Sequence, residues 1–311
     1  IGGGPAGLAA AIAAKQRGLR YQVLEQGALV NSLLHYPPQM VFFTTPELLE
    51  IGDVPFVSPY ENPTRPEALR YYRKVTDAFA LEVAQYEPVL GLTVKPDGTF
   101  HVRSQRAHAP HRDWIAPAVV LATGAYDVAN ELGVPGEHLP HVSHYYQEPH
   151  AHYRRRVVIV GGKNSAAEAA LDLYRAGASV LLVHRRAALG ESIKYWVKPD
   201  IENRIKEGTI EARFLTQVIE IRPGEVVLAP PGTEVPPPPE LQTVVPADAV
   251  FLLTGYRSDT TLLRMAGAAI NEEQGAPVHD AETFETTVPN LFLAGAVIAG
   301  RQSGRIFIEN G

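Results

Sequence analysis

A repeat constrains this chain more than any other feature. "GGGPAGLAAAIAAKQRGLRYQVLEQ" stands at its start, and "GGKNSAAEAALDLYRAGASVLLVHRR" follows at residues 161–186. Gly2 to Gly18 spans sixteen residues, as does Gly161 to Gly177. Twenty-three residues beyond Gly2 is Glu25; the same step from Gly161 lands on His184, with Arg185 and Arg186 next. The Ala- and Leu-rich segments between the glycines are good helix formers, each closed by Gly at a C′ position. A short apolar strand follows each, "YQVLE" and "SVLLVH", and "RRVVIVGG" reads as a buried parallel strand ahead of the second copy. Strand, turn, helix and strand, occurring twice, predict an α/β chain with two Rossmann-like, three-layer dinucleotide-binding domains.

The spacing carries chemistry. Gly2, Gly4 and Gly7 match G-x-G-x-x-G, in which the first glycine makes the tight turn, the second admits a pyrophosphate and the third lets helix and strand approach. The N–H groups opening the helix then face the phosphates. Glu25 can accept hydrogen bonds from ribose hydroxyls, so the first site suits an unphosphorylated adenosine, as in FAD or NAD. An acid at the matching point of the second copy would repel a 2′-phosphate; His184, Arg185 and Arg186 offer donors and positive charge there instead, which suits NADPH. The alternative for the two arginines is a solvated rim. Lys163 stands where the middle glycine belongs, and its side chain must either turn away or reach a phosphate.

Composition excludes several classes. A net charge of −6 and a pI near 6.0 argue against nucleic acid as the main partner. No apolar run approaches the ~20 residues that cross a bilayer, and a cytoplasmic location is expected. The strand expected before Gly2, and any targeting segment, would lie ahead of Ile1, and the closing "IENG" reads as part of a helix. With no cysteine in 311 residues, these residues hold no disulfide, thiolate metal site or catalytic thiol.

Along the chain, "TRPEALRYYRKVTDAFAL" reads as an amphipathic helix and "EPVLGLTVKPDGTFHVRSQ" as a hairpin turning at "PDG". Two apolar strands end in Ala122-Thr123-Gly124 and Thr254-Gly255, where the chain is expected to pass between domains. Residues 229–240 read as a Pro-rich surface connector. "VPNLFLAGAVIAGRQSGRIFIENG" reads as strand, Gly turn and helix. The expected division is a discontinuous domain, 1–126 with 258–311, and an inserted domain, 127–257.

These residues resemble a known group. Two dinucleotide units, the "ATG" strand end, "HRR" and the closing "NLFLAGA" are similar to the low-molecular-weight thioredoxin reductases. "HYPPQMVFFTTPELLEIGDVPF", "VSHYYQEPH", "GGKNSAAEAAL", "SIKYWVKPD" and "IFIENG" resemble, more specifically, the bacillithiol-disulfide reductase family, and the likeness runs almost the whole chain. It implies FAD in the first domain, NADPH in the inserted one and hydride passing from nicotinamide to flavin. Carried over by motif, Gly2, Gly4, Pro5, Gly7, Glu25, Gln26, Ala122, Thr123 and Gly124 would serve FAD. Gly295 and Ala296 would lie by the flavin, with Asn31, Ser32, His35, Tyr36, Phe42, Phe43, Thr44 and Thr45 lining its ring. Gly161, Gly162, Lys163, Asn164, Ser165, Ala166, His184, Arg185, Arg186, Thr254 and Gly255 would serve NADPH. The resemblance also implies a homodimer and a small-molecule acceptor or small redox protein as partner.

Three departures from these relatives matter. Thioredoxin reductases carry a C-x-x-C pair where this chain has Ser143-His144-Tyr145-Tyr146, so thioredoxin is not the expected acceptor. The Asp usual after the last glycine is Ala296. Ala6 occupies a position where the bacillithiol group often has Cys, so either the flavin reduces the disulfide directly or the acceptor is a different one. His144, standing in the place of the dithiol, is the candidate proton donor, a buried structural histidine being the alternative. His138, His141, His144, His150 and His152 match no closed zinc spacing, and no metal is expected. Lys194, Tyr195, Trp196 and Lys198 form either a lip over the flavin or a clamp for an anionic substrate, the alternative being aromatic packing with solvated lysines. A ferredoxin- or flavodoxin-NADP reductase, a flavin monooxygenase and a redox sensor without turnover are the competing functions.

Overall fold

The computed structural model describes residues 1–232, 238–301 and 306–310. It divides into two compact units, Ile1–Val128 with Tyr256–Gly311, and Ala129–Gly255.

The two repeat helices form alike. Pro5–Gln16 and Asn164–Arg175 each run twelve residues. Gly18 and Gly177 take φ of +68° and +86°, which lets the next N–H turn back onto the helix. Leu19 N donates to the Ala14 carbonyl and Gly18 N to Lys15; Ala178 N donates to Leu173 and Gly177 N to Tyr174. Both ends are therefore Schellman motifs, set by the glycines that the repeat aligns.

In the second unit a five-stranded parallel sheet runs in the order 211–213, 179–183, 156–160, 249–252, 142–143. The Arg156–Val160 strand is buried on both faces. Val157 and Ile159 pack with the helices, Ala166, Ala170 and Ile201 among them. Val158 and Val160 pack with Val218, Ile221, Val226 and Leu228 of a three-stranded antiparallel sheet. Helix, sheet and sheet make three layers, which explains why the middle strand is apolar without alternation.

In the first unit the Val23–Leu24 strand pairs in parallel with Val83–Ala84, and Val119–Leu121 with Leu291–Leu293. The first residues lie between these pairs: Gly2 N donates to the Leu24 carbonyl and Ala122 N to that of Ile1. The Arg65–Ala78 helix starts at Thr64, whose side chain forms a capping box with Glu67. The hairpin over 89–104 forms and gains a third strand, Arg112–Ala116. The helix expected after the Gly turn is instead the 3₁₀ segment Gly295–Ala299, held between Gly295 and Gly300 at φ of +73° and +55°. Left-handed residues at both ends stop an α-helix from propagating. Residues 233–237 of the Pro-rich connector, and 302–305 and 311 of the closing segment, lie outside the described residues.

Candidate functional site

The first glycine turn is built by backbone crowding. A Cβ on Gly2 would stand 2.3 Å from the Ala122 oxygen, and one on Gly7 2.0 Å from the Gly2 oxygen. Around Gly4, by contrast, no atom of the described residues beyond its chain neighbours lies within 4 Å of that position. Two glycines are thus required by the protein itself, and the middle one leaves free the space a pyrophosphate would take. Pro5 opens the helix behind it.

Glu25 is buried at the end of the neighbouring strand. Its Oε2 accepts from Gly3 N at 2.6 Å and its Oε1 from Gly27 N at 2.8 Å. Burial pushes its carboxyl above the ordinary range, Asp127 adds to this, and the two backbone donors oppose it. The carboxylate keeps lone pairs beyond those two bonds, which fits a ribose diol. Gln26 Nε2 donates to Asp127 Oδ2 at 2.6 Å.

The following loop is held from within. Asn31 Oδ1 accepts from Ala28 N at 3.2 Å, and His35 Nδ1 lies 2.9 Å from the Asn31 carbonyl. Ser32 is half-buried, Phe42 buried, Phe43 exposed against Phe307, and Thr45 half-buried. Tyr36 packs edge-on to Tyr126, and burial with the nearby Asp127 pushes its hydroxyl up to about 12. Thr44 is 8% exposed, and its Oγ1 has no hydrogen-bond partner among the described residues. A buried hydroxyl left unpaired is costly, so this orphan marks a place where a ligand atom fits. Ala122 and Thr123 line the back of the glycine turn, and Gly124 follows at φ +72°. A Cβ on Gly295 would lie 2.7 Å from the Ala6 Cβ, and the Ala296 carbonyl accepts from Ser258 Oγ at 3.1 Å. The residues fit FAD.

The second turn solves the same problem differently. A Cβ on Gly161 would meet the Leu253 oxygen at 2.6 Å, and one on Gly162 the His184 ring at 2.4 Å. Lys163 has an extended backbone, φ −120° and ψ −167°, which any L-residue adopts, so a side chain costs nothing there. Lys163, Arg185 and Arg186 are all exposed, and none has an ion-pair partner among the described residues. Burial, then Arg186 and Arg185, hold the His184 imidazole below its ordinary pKa. Three available cations around a helix N-terminus fit a phosphorylated nucleotide. Ser165 is exposed and Ala166 buried under the turn.

Asn164 has a role its sequence position does not announce. Its Nδ2 donates to the Ser192 carbonyl at 2.9 Å, and its Oδ1 accepts from Lys194 N at 2.8 Å. Gly190 N donates to the Gly162 carbonyl at 2.7 Å, and Lys194 Nζ pairs with Glu168 at 2.7 Å. The segment 190–194 is strapped to the glycine turn, with Tyr195 and Trp196 exposed beyond it. Thr254 Oγ1 donates to the Asn130 carbonyl at 2.6 Å, and Asn130 N to the carbonyl of Gly255.

His144 lies in the second unit, its Nε2 3.4 Å from Oε1 of buried Glu137, which also accepts from Leu132 N and Gly133 N. Among the described residues no group of three or more His, Cys, Asp or Glu is placed to hold a metal ion, and no helix is long and apolar enough to cross a membrane.

A model of the pyridine nucleotide-disulphide oxidoreductases matches residues 1–295. The chain belongs to that family. Over all its 311 residues it is 40% identical to bacilliredoxin reductase Bdr of Bacillus subtilis (strain 168), covering 92% of that protein. The solved bacillithiol disulfide reductase of Bacillus cereus is similar across 100% of this chain and 93% of its own, with 38% identity and a TM-score of 0.94. Thioredoxin reductase of T. acidophilum, 20% identical, shares the fold at a TM-score of 0.71 over 99% of this chain and 91% of its own. The chain is a thioredoxin-reductase-like α/β oxidoreductase that uses FAD and a nicotinamide nucleotide.

Proposed function

We propose that this enzyme takes reducing equivalents from NADPH and delivers them to a low-molecular-weight disulfide, bacillithiol disulfide being the best-supported substrate. One observation carries the reading: two glycine turns built alike end on opposite charge, a buried carboxylate at Glu25 and the exposed pair Arg185 and Arg186. The names of the relatives point to the acceptor, one to bacillithiol disulfide and one to a bacilliredoxin. The overall change is NADPH, a proton and one disulfide giving NADP⁺ and two thiols.

When bound, FAD supplies a centre that accepts a hydride and passes the electron pair on. The protein holds, orients and protonates. Backbone N–H groups around Gly4 would hold the FAD pyrophosphate and Glu25 the ribose, and the buried Thr44 hydroxyl would offer the cofactor a hydrogen bond. Arg185 and Arg186 take the 2′-phosphate of NADPH, with Lys163 beside the phosphates. The strap at 190–194, held by Asn164, shapes the turn without using the Asn164 amide on nucleotide. His144, oriented by Glu137, is the proposed donor of the proton the leaving thiolate needs. With no cysteine in the chain, no electrons are stored on sulfur. We further propose a homodimer that works in the cytoplasm, to be checked by light scattering after size exclusion and by fractionation.

Steady-state turnover of NADPH with bacillithiol disulfide, against a bacilliredoxin mixed disulfide and a ferredoxin, tests the assignment. Rapid consumption with the small disulfide is expected. Turnover only with the mixed disulfide would move the acceptor to a small redox protein, and turnover only with ferredoxin would end the disulfide reading.

A further inference from the structure

Glu87 is a charged side chain that the nucleotide sites do not explain. Its side chain is 0% exposed, in the first unit, beyond the reach of either glycine motif in the sequence. Three groups converge on it: Ser104 Oγ donates to its Oε1 at 2.7 Å, Arg106 Nε to its Oε2 at 2.7 Å and Arg112 to Oε2 at 3.3 Å, while Trp114 Nε1 donates to Ser104 Oγ at 2.8 Å. Arg112 also lies over the Trp114 ring at 4.4 Å. Ser104, Arg112 and Trp114 belong to the antiparallel sheet of residues 89–116. Burying a carboxylate there is costly, and replacing it by an apolar side chain would often be neutral or stabilising. Fold stability alone therefore gives little reason for the network.

The backbone of Glu87 gives a reason. Its N–H donates to the Glu25 carbonyl at 2.8 Å, Glu25 N donates to the Ala84 carbonyl at 2.9 Å, and Tyr86 N to that of Gly27 at 2.9 Å. Tyr86 sits between them at φ +55°, a left-handed conformation that a bulky residue holds only when its surroundings impose it. The segment 84–87 thus grips Glu25 and Gly27 from behind, and Glu25 in turn grips Gly3 N. The anchored end of that segment is the Glu87 carboxylate.

We propose that Glu87 is a positioning residue for the adenosine end of FAD: fixed by Ser104, Arg106 and Arg112, it holds the strained 84–87 turn that sets where the Glu25 carboxylate stands. This rests on the reading that FAD lies on Gly2–Gly7 and Glu25. None of the three residues around Glu87 is required to touch the cofactor.

FAD release from the holoenzyme, followed by recovery of flavin fluorescence on dilution, tests it. Glu25→Ala, removing the proposed ribose contact, is the reference. Glu87→Gln keeps the side-chain volume but loses the charge that Arg106 and Arg112 face; FAD release about tenfold faster is expected, the scale of a lost charge-assisted bond. In the Glu25→Ala background the same change should add less than twofold, because the group being positioned is gone. Binding of 2′,5′-ADP by the second unit should stay within twofold. Phe100→Leu, in the same sheet but outside the network, controls for loss of stability. Should Glu87→Gln not fold, Ser104→Ala removes one of the three bonds to the Glu87 carboxylate, together with the bond from Trp114, and should give a smaller acceleration of the same kind. Equal release from Glu87→Gln and wild type, or an effect matched by Phe100→Leu at equal melting temperature, or full additivity with Glu25→Ala, would each overturn the proposal. If Glu25→Ala itself leaves release unchanged, the placement of FAD fails instead.

Discussion

The two glycine turns share a backbone and differ in what completes them. In the first, a buried carboxylate folds inward and bonds Gly3 N and Gly27 N, so the acid is part of the turn's own structure. In the second, the His184 ring packs over Gly162 while Arg185 and Arg186 stay exposed, so the cations are free for a ligand. One unit builds its specificity into the protein's hydrogen bonds; the other leaves it as unpaired charge. A tightly held cofactor suits the first arrangement and an exchanging cosubstrate the second.

The sharpest way to break this comparison is at the glycines. Gly7→Ala places a Cβ 2.0 Å from the Gly2 oxygen and should cost the first unit its fold, seen as a large fall in melting temperature. Gly4→Ala meets no atom of the described residues within 4 Å beyond its chain neighbours, so the apoprotein should melt unchanged while FAD retention through gel filtration is lost. A change of Gly4→Ala that left FAD bound would show that the open space is not the pyrophosphate's.

Next in size is the charge at the second turn. Arg185→Ala with Arg186→Ala should lower kcat/KM for NADPH by roughly 2–4 kcal/mol in transition-state terms, with NADH nearly unaffected. Equal use of the two nucleotides by the wild type would refute the assignment. Asn164→Ala should act more weakly, raising KM for NADPH about tenfold or less through a loosened strap; its effect should persist with 2′,5′-ADP measured by calorimetry.

Acid separates the two carboxylates of the first unit. Glu25 is raised by burial, whereas Glu87 is held below the ordinary range because Ser104 and the two arginines outweigh its burial. For Glu25 the sign is that of a group binding its proton more tightly when folded: its contribution to apoprotein stability is present below the unfolded carboxylate value and is lost as pH rises through the raised one. For Glu87 the contribution is present above the unfolded value and lost as pH falls below it. As pH falls toward Glu25's raised pKa, FAD affinity should fall first, with unfolding only at lower pH. Simultaneous loss of flavin and near-UV ellipticity would contradict this ordering.

The smallest effect expected is none. Iodoacetamide should leave turnover unchanged, since the chain carries no thiol, and anaerobic titration should give two electrons per FAD. His144→Ala should slow acceptor turnover while nucleotide binding is kept, provided the imidazole donates a proton rather than bracing Glu137.

Much was legible because it is local. Glycine spacing, the helices closed by Gly18 and Gly177, the amphipathic helix after Thr64 and the hairpin through "PDG" depend on neighbours a few residues apart. Charge at the end of each repeat's second strand could be read in the same way, because a fixed number of residues carries the chain from turn to strand end. The 3₁₀ segment at Gly295–Ala299 was not legible, since apolar residues after a glycine suit an α-helix equally well until Gly300 turns left-handed.

What sequence by itself determined, then, is the repeat, its two opposite charges and the lack of cysteine among these 311 residues, each a property of residue type and spacing. Tertiary structure decided the rest. That Asn164 straps residues 192–194 and that Glu87 stands behind Glu25 are meetings of groups separated by 28 to 62 residues. Such meetings follow from how strands order themselves in a sheet, and side-chain partners across a sheet leave no periodic trace along the chain.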